Sequence, residues 1–204
     1  TATLEYLNKI YHLDQPNTLW TMGNHDTANP QLIQQTTGRP LFYAQSWQNT
    51  TLIVLNSQDT LGRITAPQQQ LLSQILDTLA HTRYLLLLTH KLLWMPGNPD
   101  LEAAIDSVAN GNLGTCHYCT RPNNFYDDIY PRLQAAQQNG VQVICLAGDI
   151  GVKVKTFEYQ TPDGIWFLAT GIAAGTSGNR ALVFELDPHT RRLSWHFRPL
   201  LHLF

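Results

Sequence analysis

Charge is what this sequence has least of. Asp, Glu, Lys and Arg make up 14% of its 204 residues, hydrophobic residues make up 43%, and the formal net charge is -2. So apolar a chain buries a core and is not a disordered, solvating segment. So nearly neutral a balance excludes nucleic-acid binding by bulk electrostatics. No run of lysine and arginine marks a membrane-surface segment. Long apolar runs are missing too: the stretch Tyr84 to Leu88 is strand-sized, far short of the about 20 residues that cross a bilayer.

Cysteine is scarce, with Cys116, Cys119 and Cys145 in the whole chain. The first two form one C-x-x-C around His117. That is half a zinc site at most and equally a small disulfide loop, and it does not open a helix after a strand as a redox pair does. Gly171 to Gly178 could form an anion-binding nest or a plain connection, but it lacks the lysine of a P-loop. No G-x-S-x-G occurs, which leaves a serine-hydrolase reading without support. The first residue is Thr rather than Met, no signal peptide is visible, and the compartment is left open.

What is present is an alternation of helical and strand patterns. Leu4, Leu7, Ile10 and Tyr11 share a helical face. Thr18 to Met22 reads as a short strand running into Gly23-Asn24-His25-Asp26, and Pro30 suits a first helical turn. Leu41 to Trp47 and Thr51 to Leu55 read as strands joined by a tight turn. Thr65 and Gln68 resemble a capping box ahead of a helix with Leu71, Leu72, Ile75, Leu76 and Leu79 on one face. Tyr84 to Leu88 reads as a strand buried on both sides, ending in Thr89 and His90.

The segment from Lys91 to Asn123 reads as a long loop rich in Gly, Pro and Asn, of a length that is either functional or disordered. A helix over 125–138 and a buried strand over 141–147 follow, the latter ending in Gly148-Asp149-Ile150-Gly151. The remainder reads as an antiparallel run over 153–159, 165–170, 181–186 and 192–198, with turns at Thr161-Pro162-Asp163-Gly164 and Asp187-Pro188-His189-Thr190.

Three strand ends therefore carry polar residues: Asn24 and His25, His90, and Asp149. In helix-flanked sheets ligands collect at the carboxyl ends of strands. Asn24 offers a neutral carbonyl oxygen, His25 a proton, and Asp26 a carboxylate able to orient an imidazole. A polar turn that merely caps the next helix is an equal alternative on residue types alone.

Gly23-Asn24-His25-Asp26 after a short strand resembles the central signature of the calcineurin-like metallophosphoesterases. The likeness continues in order: an aromatic strand at Leu41-Phe42-Tyr43, an apolar strand at Leu52 to Ser57, a Gln-led helix from Gln68, a strand ending in His90 with Trp94 beyond it, and a strand leading to Gly148-Asp149-Ile150-Gly151. The resemblance implies an α/β fold of two packed mixed sheets flanked by helices, an α/β/β/α sandwich. It implies a single domain over 1–204 that lacks its first strands, the C-terminal three-quarters of a whole one.

The resemblance also implies hydrolysis of a phosphate ester, in a phosphorylated small molecule or macromolecule, at a dinuclear-type site. Asn24 and His90 would be metal ligands, His25 would contact the phosphate and assist the leaving group, and Asp26 would support His25. One or two divalent ions such as Mn, Fe or Zn suit these donors.

Two departures stand out. The family's opening Asp-x-His and Gly-Asp motifs do not precede residue 23. Its closing Gly-His-x-His is replaced by Gly148-Asp149-Ile150-Gly151, where Asp149 can serve as a ligand and Gly151 cannot. The rival expectation is a member that keeps the fold as a binding module without catalysis.

Overall fold

The computed structural model describes residues 2–59, 62–111 and 123–200. Its helices are α1 (Ala2–Tyr11), α2 (Pro30–Thr37), α3 (Ala66–Leu76), α4 (Ile105–Val108) and α5 (Tyr130–Gln138). Its strands are β1 (Tyr43–Trp47), β2 (Thr50–Val54), β3 (Tyr84–Leu88), β4 (Gln142–Ala147), β5 (Thr156–Gln160), β6 (Trp166–Thr170), β7 (Arg180–Leu186) and β8 (Leu193–Pro199). The fold is α/β, with a six-stranded mixed sheet ordered β1-β2-β3-β4-β6-β5 and a separate β7–β8 pair. No helix among the described residues is long and apolar enough to cross a membrane.

The middle of the large sheet is parallel, from β2 through β3 and β4 to β6, and the two edge strands run antiparallel. Its central strands are apolar throughout because both faces are covered. Leu85, Leu87, Val143, Cys145, Phe167 and Ala169 belong to the larger core, together with Leu72 of α3 and Leu133 of α5. Tyr84, Leu86, Ile144 and Leu168 point the other way, into a second core shared with Leu182, Phe184, Leu193 and Trp195 of the β7–β8 pair. The alternation of neighbouring residues between two cores follows from the two-residue period of a strand.

Tyr84 registers that pair on the sheet. Its hydroxyl donates to Arg191 O at 2.9 Å and accepts from the Leu193 N–H at 2.9 Å. At the other edge β1 and β2 close through Gln48 and Asn49, with Gln48 at φ 52, as a two-residue hairpin turn demands.

Several expectations are corrected. Thr18 to Met22 forms no strand; its anchors are side-chain bonds, between Trp20 and the Tyr43 hydroxyl and from Thr21 Oγ1 to Leu55 O. Thr65 makes no capping bond. Its expected partner Gln68 is buried and does reach it, Nε2 donating to the Thr65 hydroxyl at 3.3 Å, but it also accepts from the Asn56 N–H at 2.8 Å and donates to Asn56 O at 3.1 Å, so it closes the end of β2 rather than the helix N-terminus.

The stretch after His90 is not a free loop in its first part. Leu92, Leu93, Trp94 and Met95 are core residues, and α4 follows. Cys116, His117 and Cys119 lie outside the described residues. The helix over 125–138 opens as a wide π-helical turn, Phe125–Ile129, ahead of Pro131, whose missing N–H removes one ordinary helical bond. The last four strands do not form one antiparallel run: β6 joins the large sheet parallel to β4, and β7–β8 pack separately.

Candidate metal site

The parallel pairing of β3 with β4 aligns Leu88 with Leu146, so the residues just beyond them emerge side by side. The turn after β4 wraps onto β3: Gly148 N–H and Asp149 N–H both donate to His90 O, at 3.1 and 2.9 Å. Sheet topology and the wrapping of this turn thus bring His90 and Asp149 together.

Asn24 arrives from outside the ladder. The 23–26 turn closes when Asp26 N–H donates to Gly23 O at 3.1 Å and Gly23 N–H donates to Asp26 Oδ2 at 2.8 Å. A β-carbon on Gly23 would stand 3.3 Å from His90 Cε1, so the bare backbone lets this turn press against the imidazole.

The result places all three sequence-predicted ligands in one spot. His90 Nε2 lies 3.1 Å from Asn24 Oδ1 and 3.7 Å from Asp149 Oδ1. Two donors about 2.1 Å from one ion, at right or tetrahedral angles, stand about 3.0 to 3.4 Å apart. The first separation falls in that window and the second is a few tenths of an ångström wider. The donor set, an amide oxygen, an imidazole nitrogen and a carboxylate, suits a borderline divalent ion. Among the described residues no group of three or more His, Cys, Asp or Glu gathers as a metal set. This trio contains two of those types, and its third donor is an amide.

The electrostatics also suit a ligand. Burial is the largest influence on His90 and holds its imidazole below the usual histidine range, while Asp149 and Asp26 pull it up. A neutral imidazole is the form that binds metal. With Asn24 Oδ1 as acceptor, Nε2 carries the proton in the ion-free chain, and an ion would take that proton's place. Lys91, buried beside the site, is lowered by burial and raised by Asp149.

His25 is exposed and faces solvent at the rim. Asp26 turns back to Gly23, and no hydrogen bond joins it to His25. Trp94 does not line the site; it is 1% exposed and stacks on Phe167 at 5.2 Å. A cleft of about 580 Å³ lined by Ser73, Asp77, Arg132 and Asn139 lies between α3 and α5, where the chain enters β3 and β4, at the other end of those strands from the site.

Gly151 has φ 125, and a β-carbon there would stand 2.8 Å from the Gly171 carbonyl carbon. The converse is tighter still, for a β-carbon on Gly171 would overlap Ile150 O. The loops after β4 and β6 therefore lie backbone to backbone, and no side chain can stand at 151 without parting them.

Sequence reasoning missed Asn110. Its side chain donates to Asp149 Oδ1 at 3.3 Å and to Ile150 O at 3.2 Å. Nothing in its Gly- and Asn-containing surroundings marks it from the sequence. Lys91 carried a signal in its position beside His90. No family model matches the chain, and no curated protein matches it.

Proposed function

We propose that this chain is a metallophosphoesterase domain of the calcineurin-like type, hydrolysing a phosphate ester at a divalent-metal site held by Asn24, His90 and Asp149. The observation that carries the reading is the meeting of these side chains about His90 Nε2, at 3.1 and 3.7 Å. The layering supports it too: helices, a six-stranded sheet and a second, smaller sheet follow the order of an α/β/β/α sandwich in its first three layers.

A bound Mn, Fe or Zn ion would supply charge against the phosphoryl oxygens and an acidified water. The chain's own residues do the rest. Asn24 and Asp149 fix oxygens on either side of the imidazole. His25, exposed beside Asn24, would give a proton to the departing alcohol oxygen. Asp26 holds the turn that presents Asn24 and His25, through its bond to Gly23. Phosphorylated small molecules and macromolecules both remain within this substrate class.

The test is metal analysis of the native chain together with turnover of nitrophenyl phosphate, repeated on His90→Ala. Bound transition metal and turnover in the native chain, both lost in the variant, are expected. Neither metal nor turnover in the native chain would remove the proposal.

A second reading, a binding module that keeps the fold without catalysis, is favoured by Gly151. That position offers no ligand, and its contact with Gly171 leaves no room for one. Metal bound without turnover is the outcome that selects it.

A further inference from the structure

We propose that Asn110 is a positioning residue for the Asp149 carboxylate, and that cation affinity at the site depends on it. The inference rests on the reading of Asn24, His90 and Asp149 as cation-holding residues.

Asp149 sits on a loop, and a carboxylate on a loop has two side-chain torsions to fix before it can face a ligand. Asn110, just past α4, spans that loop from one end to the other. Its backbone N–H donates to Asp149 O at 3.1 Å. Its Nδ2 donates to Ile150 O at 3.2 Å and to Asp149 Oδ1 at 3.3 Å, and its Oδ1 accepts from the Val152 N–H at 2.9 Å.

The carboxylate oxygen that Asn110 holds is the one 3.7 Å from His90 Nε2. The amide is a neutral donor, so it orients Asp149 without cancelling the charge that a cation needs. Asn110 is itself held in place. Lys153 Nζ donates to Asp106 O and Gly111 O, both at 2.8 Å, and so ties the loop after β4 to the chain on either side of residue 110. Partners of this kind behind a metal ligand are worth about 10- to 100-fold in affinity.

The experiment is a double-mutant cycle read by titration calorimetry with Mn²⁺ on the native chain, Asn110→Ala, Asp149→Ala and the double variant. Circular dichroism melts check that each variant is folded. Asn110→Gln, which keeps an amide but displaces it by one methylene, stands in should the alanine variant not fold. Asn110→Ala should weaken Mn²⁺ binding about tenfold or more, and should change it less than twofold where Asp149 is already alanine.

Equal losses on both backgrounds, or no loss on the native one, would overturn the role while leaving the site intact. A native chain that binds no Mn²⁺ would remove the site and this role with it.

Discussion

His90 lies between a burial that favours the neutral ring and two carboxylates, Asp149 and Asp26, that favour the charged one, and burial is the larger influence. Its folded value therefore lies below the unfolded one of about 6.5. For such a group the stabilising share is complete above the unfolded value and is lost as pH falls toward the folded one, because the unfolded chain takes up the proton more readily. The ion-free protein should thus lose more thermal stability between pH 7.5 and pH 5 than His90→Gln, whose side chain does not titrate. Carboxylates remote from His90 contribute alike to both proteins and cancel in the difference; Asp149 and Asp26, which face the ring, do not. Melting curves across that range decide the matter, and parallel curves for the two proteins would show that His90 is not held neutral.

At the scale of elements, the ends of β3 and β4 supply two of the three donors, and the contact between the loops after β4 and β6 sets the limit of the site. Gly151→His would restore the residue type that the family likeness leads one to look for. The structure gives it no place, since the Gly171 backbone already fills the direction of a β-carbon and φ is in the left-handed region. The expected outcome is a loss of more than about 2 kcal/mol in urea unfolding with no added metal bound, as strain and overlap of this kind are destabilising on that scale. A second bound ion in that variant would show that the two loops part readily.

This contact also marks how far the sequence could be read. His90 and Asp149 were legible because each follows an apolar run that can only be a strand buried on both faces. Adjacent parallel strands then set their ends together. Asn24 was legible as a motif, though the strand expected before it is absent, since Thr18 to Met22 is held by side-chain bonds that no period reveals. Gln68 looked like half of a helix cap; it reaches the Thr65 hydroxyl, but its shorter bonds turn inward to Asn56, a partner 12 positions away. Asn110 was invisible for the same reason: its partners are 39 to 42 residues distant, and only the folded chain joins them.

Across the whole molecule, the larger core is closed by groups that must stay protonated. Burial pushes Tyr130 up to about 12 and raises Tyr126 and Cys145 further. Cys145 is on β4, and the Tyr126 hydroxyl bonds Trp94 O across the same core. A group raised in this way stabilises the fold below its unfolded value and ceases to do so as pH rises through the folded one. Stability should therefore begin to fall above about pH 8.5, where an unfolded thiol ionises, and fall more steeply above about pH 10, where tyrosine does. Cys145→Ala should flatten the first part of the decline and leave the second. A melting temperature constant up to pH 11 would contradict the assignment.

Strand β3 carries Tyr84 at its start and leads directly into His90, so one short ladder ties the seat of the β7–β8 hairpin to the imidazole about 20 Å away. A slip of β3 by a single residue would send Leu85 and Leu87 toward the hairpin and swing His90 away from Asn24 and Asp149 together. The same spacing acts as a ruler with a mark at each end. In the folded chain the docked hairpin and the gathered donors therefore share one register, the one that β3 sets.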